Sequence, residues 1–538
     1  MWHKLWSHRL FLIIALAAFL RLFLLNRVPP SLNWDEVAMG YTAYSVGETG
    51  MDEWGERLPI FFRSYGEWKS AVYIYVLVPF IKLFGLNAWG VRLPSALAGI
   101  LAVWLTYLVG SRLYGQRAGT WAAFFLAISP WHLLLSRPAF EANVSLTLIL
   151  AGLYFFLQFS QKSKIYLLIS SAIAFGLAPH TYNSAKVVVP ILVLYLIWRT
   201  RLYRHLKNSL LYFFILGLFA LPILLNLFSG RAQHRYSQVG VSTNEYDMTL
   251  FIQHRLNPAF PPLVGKLIFN RYTYTLHQTA YNALSYLNPG FLLVEAGDHV
   301  QHHVPYFGSL YLAEYILLLI GIFTLFRKGS HRPLRLLPLV IIGLGIIPAA
   351  LTREQYHLLR SILTLPGWQL LAGLGLATIT SRPWRRILLG VLFLQVAVFL
   401  VACFWWYPQI SGRDWQGGYQ ETAAYVQAHE SEYDQIVFTK WYGEPQLFLA
   451  FYNRWDPTWF QAENQANLRY ESEGNIWLDQ LPQYSIGKYT FKYLKWADET
   501  KSPRTLFVGK ADDFYSDSHI VKTVSFPDGS PAFLLVEP

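Results

Sequence analysis

Apolar and polar positions alternate along this chain in long blocks rather than short periods. From residue 10 to residue 405, apolar runs of roughly 18–25 residues recur, each long enough to cross a bilayer as a helix. The pattern predicts helices near 10–27, 88–111, 118–135, 143–160, 165–180, 183–199, 208–228, 309–327, 334–351, 361–379 and 385–405. Beyond residue 405 the texture changes. "YQETAAYVQAHE" and "EPQLFLAFY" read as helices, "QIVFTK" and "TLFVGK" as strands, and "IVKTVSFPDGSPAFLLV" as a hairpin with a Pro-Asp-Gly turn. The expected fold is a polytopic α-helical membrane protein with about eleven transmembrane helices over residues 1–405, followed by a soluble external α/β domain over 406–538.

The polar loops orient these helices. Lys4/Arg9, Arg112/Arg117, Lys162/Lys164, Arg199/Arg201/Arg204/Lys207, Arg327/Lys328/Arg332/Arg335 and Arg382/Arg385/Arg386 mark six basic loops, all cytoplasmic by the positive-inside rule. The block "AVYIYVLVPFIKLFG" (71–85) is short and contains Pro79 and Lys82. Counting it as a span would put the later basic loops outside, so it reads as a helix lying along the outer interface. The segments left on the external face are 28–87, 136–142, 229–308 and 352–360. The first apolar block lacks a small-residue cleavage site and runs into Arg27-Val-Pro-Pro, which makes it a retained helix.

Composition agrees. Of 538 residues, 54% are hydrophobic and 14% charged, against about a quarter charged in a soluble protein. The net charge of +12 sits largely in the short loops between apolar blocks, which argues against nucleic acid as a partner. The single cysteine, Cys403, lies in an apolar block and offers neither a disulfide framework nor a Cys-based metal site. Compact loops without eukaryotic retention signals point to a multi-pass protein of a bacterial plasma membrane, N-terminus cytoplasmic and C-terminal domain periplasmic.

The external segments hold the candidate chemistry. In "RVPPSLNWDEVAMGYTAYSVG", Asp35 and Glu36 follow the first helix. Asn33-Trp-Asp-Glu36 has the spacing of a capping box, with acids in the first turn where the helix dipole favours them. Arg137 and Glu141, in "SRPAFEAN", stand at the outer end of the third helix. Near the hydrocarbon boundary they either pair with one another, cap a helix, or face a shared polar cavity. Lys69 in "YGEWKSAVY" and Arg353, His357 and Arg360 in "TREQYHLLRS" are cations at the same boundary. They can grip a phosphate or snorkel to lipid headgroups. In "GDHVQHHVPYFG", Asp298, His299, His302 and His303 have the composition of a metal cluster, but Pro305 and two glycines make the segment a loop, and no metal is expected. The spans themselves are nearly free of acids, whereas a transporter more often carries them mid-helix. This favours chemistry at the membrane surface on a phosphate-bearing lipid.

A first helix, an aspartate-glutamate pair, an interfacial helix and then "NAWGVRLPSALAGILAVWLTYLVG" resemble the polyprenyl-phosphate-sugar-dependent glycosyltransferases of the GT-C fold, which include protein O-mannosyltransferases and the lipid A aminoarabinose transferase. The likeness continues through "SYLNPGFLLVEAGDHVQHHVPYFG" and "YHLLRSILTLPGWQLLAGLGL" and covers most of residues 10–405. It implies an inverting transfer of a sugar from a polyprenyl-monophosphate donor to an acceptor hydroxyl on the external face. By the same resemblance Asp35 is the general base, Glu36 shapes the acceptor site, and Glu141 stands where the family usually has a second aspartate. Lys69 would bind the lipid phosphate. The aminoarabinose transferase has a glutamate immediately before that lysine, where this chain has Trp68 with Glu67 one position earlier. His357 and Arg360, with Arg353, would face the donor head group. No cofactor is required on this reading, and a divalent metal is not predicted. The acceptor stays open among protein, lipid and glycan. Two readings from other classes are a lipid-linked sugar flippase and a non-catalytic, glycan-binding membrane scaffold.

Overall fold

A computed structural model describes residues 2–64, 66–228, 238–327 and 334–538. Residues 229–237 of the expected external segment 229–308, and Lys328 and Arg332 of the fifth basic loop, lie outside the described residues. Helix occupies every segment expected to span, from Trp2–Leu22 at the start to Arg382–Val401 at the end. Among the described residues, Ala88–Tyr114, Glu141–Lys162, Leu206–Asn226 and Arg382–Ile410 are long and apolar enough to cross a membrane. Others are shorter or broken. The third expected span divides into Gln116–Ile128 and Pro130–Leu135 because Pro130 has no N–H to continue the first helix, and Ser129 caps the second. Large apolar side chains on Leu206–Phe228 and Arg382–Val401, such as Phe214 and Phe393, stay exposed, as a lipid-facing surface requires. The block expected along the interface is the 14-residue helix Ala71–Phe84, with Pro79 inside it.

The chain forms two compact units. One comprises residues 1–21, 97–136 and 141–400 and is helical. Its helices approach closely where glycines permit, as small residues do in membrane bundles. A Cβ on Gly321 of Leu312–Arg327 would lie 1.9 Å from the Leu371 carbonyl oxygen of Gly367–Thr378.

The other unit comprises residues 22–96, 137–140 and 401–538. It holds a hairpin of β1 (Phe61–Ser64) and β2 (Glu67–Ser70), and six further strands. These are β3 (Gln435–Thr439), β4 (Gln483–Ile486), β5 (Tyr489–Lys492), β6 (Thr505–Gly509), β7 (His519–Ser525) and β8 (Pro531–Glu537). They form one sheet in the order β4-β5-β3-β6-β8-β7. β3 pairs in parallel with β5 and β6, and the remaining pairs are antiparallel. The central strand β3 is buried on both faces, as parallel strands usually are.

This unit differs from the expected boundary at residue 405. Helix Trp34–Thr49 buries Val37, Met39 and Tyr41, and Tyr41 packs edge to face on Phe460 at 5.2 Å, in the region after 405. A Cβ on its Gly40 would meet the Phe451 ring at 2.6 Å. Tyr41 donates to the Trp455 carbonyl (3.0 Å), and the Gln461 amide bonds Ser45, Thr49 and the Asp52 carbonyl, each at 3.0 Å. A short helix buried on nearly every face needs neighbours all round, and the C-terminal region supplies one of them.

Candidate active site

Helix Trp34–Thr49 begins with the capping box that the sequence suggests. The Glu36 N–H donates to Asn33 Oδ1 (2.9 Å), and the Asn33 N–H donates to Glu36 Oε2 (3.3 Å). The two adjacent acids then separate in role. Glu36 is fully buried, and Arg92 forks onto it with Nε to Oε1 at 2.8 Å and Nη2 to Oε2 at 2.9 Å. The Ala139 N–H donates to the same carboxylate at 3.0 Å. Arg92 also donates to the carbonyls of Leu25 (3.1 Å), Pro29 (2.9 Å) and Ser31. This closed network ties the loop after the first helix to the helix Ala88–Tyr114 and to residues 137–140. With no access to solvent, Glu36 holds the turn at the start of helix Trp34–Thr49.

That neighbour, Asp35, has a side chain 40% exposed. Lys69, which sits opposite Phe62 in the β1–β2 hairpin, brings its ammonium onto Asp35 Oδ1. The C-terminal region braces the same turn: the Trp34 N–H donates to Gln416 Oε1 (2.7 Å), and Gln416 donates to the Tyr442 carbonyl (2.6 Å). Lys69 also lines a cleft walled by aromatic residues including Trp54 and Trp477, into which the acids Glu53 and Glu444 project.

Arg137 does not stand ready for a ligand. It donates to the carbonyls of Val28 (2.9 Å) and Phe23 (2.7 Å) and covers the Phe404 ring at 5.0 Å. Glu141 is half-buried in the first turn of Glu141–Lys162, where the helix dipole favours a carboxylate.

The helical unit gathers a second cluster around Glu354, a residue that sequence reasoning passed over. Its Oε2 accepts from Arg360 at 2.8 Å and lies 3.4 Å from His299 Nε2 and 3.6 Å from His357 Nε2. The His299 bond and the Arg360 charge hold its carboxyl down to about 2. The rings of His299, His302 and His357 lie 4.8–5.2 Å apart, centroid to centroid. His302 is pushed down in pKa by burial, then by His299 and Arg360. Arg353 stands apart. It docks residues 239–243 by donating to the Gly240 carbonyl (3.2 Å) and to Thr243 Oγ1 (2.6 Å).

Donor atoms of His299, Glu354 and His357 fall within 4.8 Å of one another, the spacing of a candidate metal site. Two features compete with that use. The Arg360 N–H donates to His357 Nδ1 (3.2 Å), which leaves the proton of the neutral ring on Nε2, the nitrogen facing Glu354. The Arg360 guanidinium already compensates the carboxylate. As it stands, the cluster is a carboxylate held among hydrogen-bond donors.

Arg92 and Glu354 were both legible in principle. Arg92 is the cation of "GVRLP", and Glu354 precedes His357 by three residues. The partners that define them, Glu36 and His299, lie 56 and 55 residues away.

The family described as Dolichyl-phosphate-mannose-protein mannosyltransferase matches residues 69–227, beginning at Lys69. YycA of Bacillus subtilis (strain 168), provisionally named a mannosyltransferase, is 28% identical over 134 residues, 25% of this chain and 20% of its own length. The chain thus spans about a fifth of that relative. ArnT of Cupriavidus metallidurans in the apo state superposes with a TM-score of 0.52 at 14% identity, over 99% of this chain and 97% of its own. The same enzyme bound to undecaprenyl phosphate gives 0.50, again at 14% identity, over 99% and 97%. The chain shares the GT-C fold of ArnT, and over residues 69–227 it is similar to the dolichyl-phosphate-mannose-protein mannosyltransferase family.

Proposed function

We propose that this protein is an inverting membrane glycosyltransferase that moves a sugar from a polyprenyl-monophosphate donor to an acceptor hydroxyl on the external face. The observation that carries the reading is the Asp35–Lys69 pair, a carboxylate in the first turn of helix Trp34–Thr49 in contact with an ammonium from the β1–β2 hairpin. The family match and the ArnT structure holding undecaprenyl phosphate support the class of donor.

The chemistry is one displacement. The acceptor oxygen forms a bond to the anomeric carbon, and the bond from that carbon to the lipid phosphate oxygen breaks, its electron pair leaving on the phosphate. Asp35 takes the acceptor proton as general base. The Lys69 ammonium, released from Asp35 when donor binds, offsets the charge that develops on the leaving phosphate. Arg353, His357 and Arg360 are assigned to the donor's phosphate and head group on their residue chemistry, and Glu141 to a supporting acid. No metal is needed for this step, because a monophosphate leaving group can be met by cations. The enzyme would sit in a bacterial plasma membrane with about eleven spans, its N-terminus cytoplasmic and the 406–538 region periplasmic.

Incubating the purified protein with polyprenyl-phosphate hexoses and following the product anomer by NMR tests this reading. Transfer with inverted configuration is the expected result. Binding of donor without any loss of its sugar, under conditions that support vectorial movement in vesicles, would favour a flippase instead.

A further inference from the structure

Helices Trp34–Thr49 and Ala71–Phe84 pack against each other and leave a groove of about 390 Å³ between them. Tyr44, Gly47 and Glu48 line one side, and Val78, Ile81 and Lys82 line the other. We propose that this groove is a lipid-binding site and takes the headgroup of an ethanolamine phospholipid, with its phosphate on Lys82 and its ammonium on Glu48. The site depends on the membrane placement of the chain and is independent of the transferase reading.

Helix Ala88–Tyr114 is long and apolar enough to span, and Arg112 in its last turn belongs to a basic loop assigned to the cytoplasm. Its start at Ala88 therefore lies at the outer boundary of the bilayer, and Lys82 stands just before that start. Beside it Leu83 is 77% exposed, Phe84 47% and Trp89 37%. Apolar and indole surface at this level belongs among headgroups and the first methylenes of lipid rather than in water.

The path of Lys82 differs from ordinary snorkelling, in which a lysine runs from its own helix towards water. A Cβ on Gly47 would lie 3.1 Å from Lys82 Cε and 3.3 Å from Val78 Cγ1. The lysine stem thus crosses the groove and lies over the facing helix, and the glycine at 47 leaves it room. It arrives on the helix that carries Glu48. Among the described residues, neither Glu48 nor Lys82 makes an ion pair. Opposite charges held on facing walls at headgroup level suit a ligand that brings both signs.

The surrounding charges select that ligand further. Near Tyr44, in the groove wall, stand the acids Glu48 and Asp456 and the cation Arg454. With Lys82 they balance, acid for cation. An anionic headgroup would satisfy Lys82 and leave Glu48 unmet. A polyprenyl phosphate would do the same, because it has no ammonium. An ethanolamine headgroup meets both, and its N–H donors give the carboxylate charge-assisted hydrogen bonds. A choline headgroup has no such donors and would rely on the Tyr44 ring. The volume lies in the range of small-ligand sites, and Val78 and Ile81 suit the glycerol and upper acyl carbons.

The test is native mass spectrometry of the full-length protein released from micelles. Phosphatidylethanolamine, phosphatidylcholine, phosphatidylglycerol and undecaprenyl phosphate are offered at equal concentration. Phosphatidylethanolamine is expected to be retained over phosphatidylcholine and phosphatidylglycerol. Glu48→Gln and Lys82→Gln should each weaken its retention about tenfold, the loss of one hydrogen bond to a charged group. Both positions are exposed, so both variants should keep the wild-type melting curve. Lys69→Ala should leave phosphatidylethanolamine retention unchanged. Equal retention by wild type and Lys82→Gln, phosphatidylcholine held as strongly, or a preference for phosphatidylglycerol would overturn the assignment. Retention of undecaprenyl phosphate that is lost in Lys82→Gln would also overturn it, and would make the groove part of the donor site.

Discussion

Lys69 reaches from the β1–β2 hairpin to set its ammonium against the carboxylate of Asp35, 34 residues earlier in the chain. The pair couples the proposed base to the proposed phosphate ligand before any substrate arrives. Lys69→Ala is therefore expected to lower kcat/KM by about 10²–10³-fold, as loss of a charged group on a transition-state oxyanion does. Thermal stability should change little, because a partly exposed ion pair contributes modestly. Lys69→Arg should recover part of the loss. Steady-state kinetics with varied donor, beside a melting curve, checks both expectations.

Glu36 and Arg92 should behave in the opposite way. Their ion pair is fully buried and bidentate. Removing either partner strands the other charge in the interior, at a cost of about 3–5 kcal/mol. Glu36→Ala and Arg92→Ala should each lower Tm and the yield of monodisperse protein. The double variant should fall well short of the sum of the two losses. Additive losses would show that the pair is not coupled.

The sign of the pH dependence at Glu53 follows from its raised carboxyl. Its ordinary value is 4.5 and its folded value about 8. Between those limits the folded protein keeps a proton that the unfolded chain releases, so this group's contribution to stability declines as pH rises across that window. Glu53→Gln removes the decline. The Tm of the variant relative to wild type should rise from pH 5 to pH 8. Glu354 has the reverse sign. With its carboxyl held at about 2, its contribution is complete above the ordinary 4.5 and lost as pH falls from there towards 2. Glu354→Gln should flatten the acid limb of the stability profile.

The proposed topology can be read with single cysteines. Cys403 is buried and is the chain's only cysteine, so Cys403→Ala gives a clean background. On that background Asp512→Cys, an exposed position, should react with a membrane-impermeant maleimide in intact spheroplasts. Lys162→Cys, also exposed, should react only after lysis. The reverse pattern would invert the orientation assigned to the basic loops.

Much of the fold was legible because it depends on local pattern. Apolar block length located the helices, and the capping box at Asn33–Glu36 is a four-residue signal that the hydrogen bonds reproduce. The strands β3 and β6 and the β7–β8 hairpin fall on "QIVFTK", "TLFVGK" and the Pro-Asp-Gly segment. The association of helix Trp34–Thr49 with the region after residue 405 was not legible. It rests on pairs such as Tyr41 with Trp455 and Gln461 with Ser45, which are 414 and 416 residues apart. No periodicity in sequence encodes such distances. The same limit hid the division of labour between Asp35 and Glu36, since neighbours in a helix cap look alike until Arg92 and Lys69 are seen to choose between them.

The most direct test of the central claim is release of polyprenyl phosphate by purified wild type and Asp35→Asn, with a panel of polyprenyl-phosphate sugars and a mixture of protein, lipid and glycan acceptors. Loss of a positioned general base predicts release at least about 10²-fold slower in Asp35→Asn, with its fold intact by melting curve. Equal release from the two proteins would contradict the account and remove Asp35 from the chemistry.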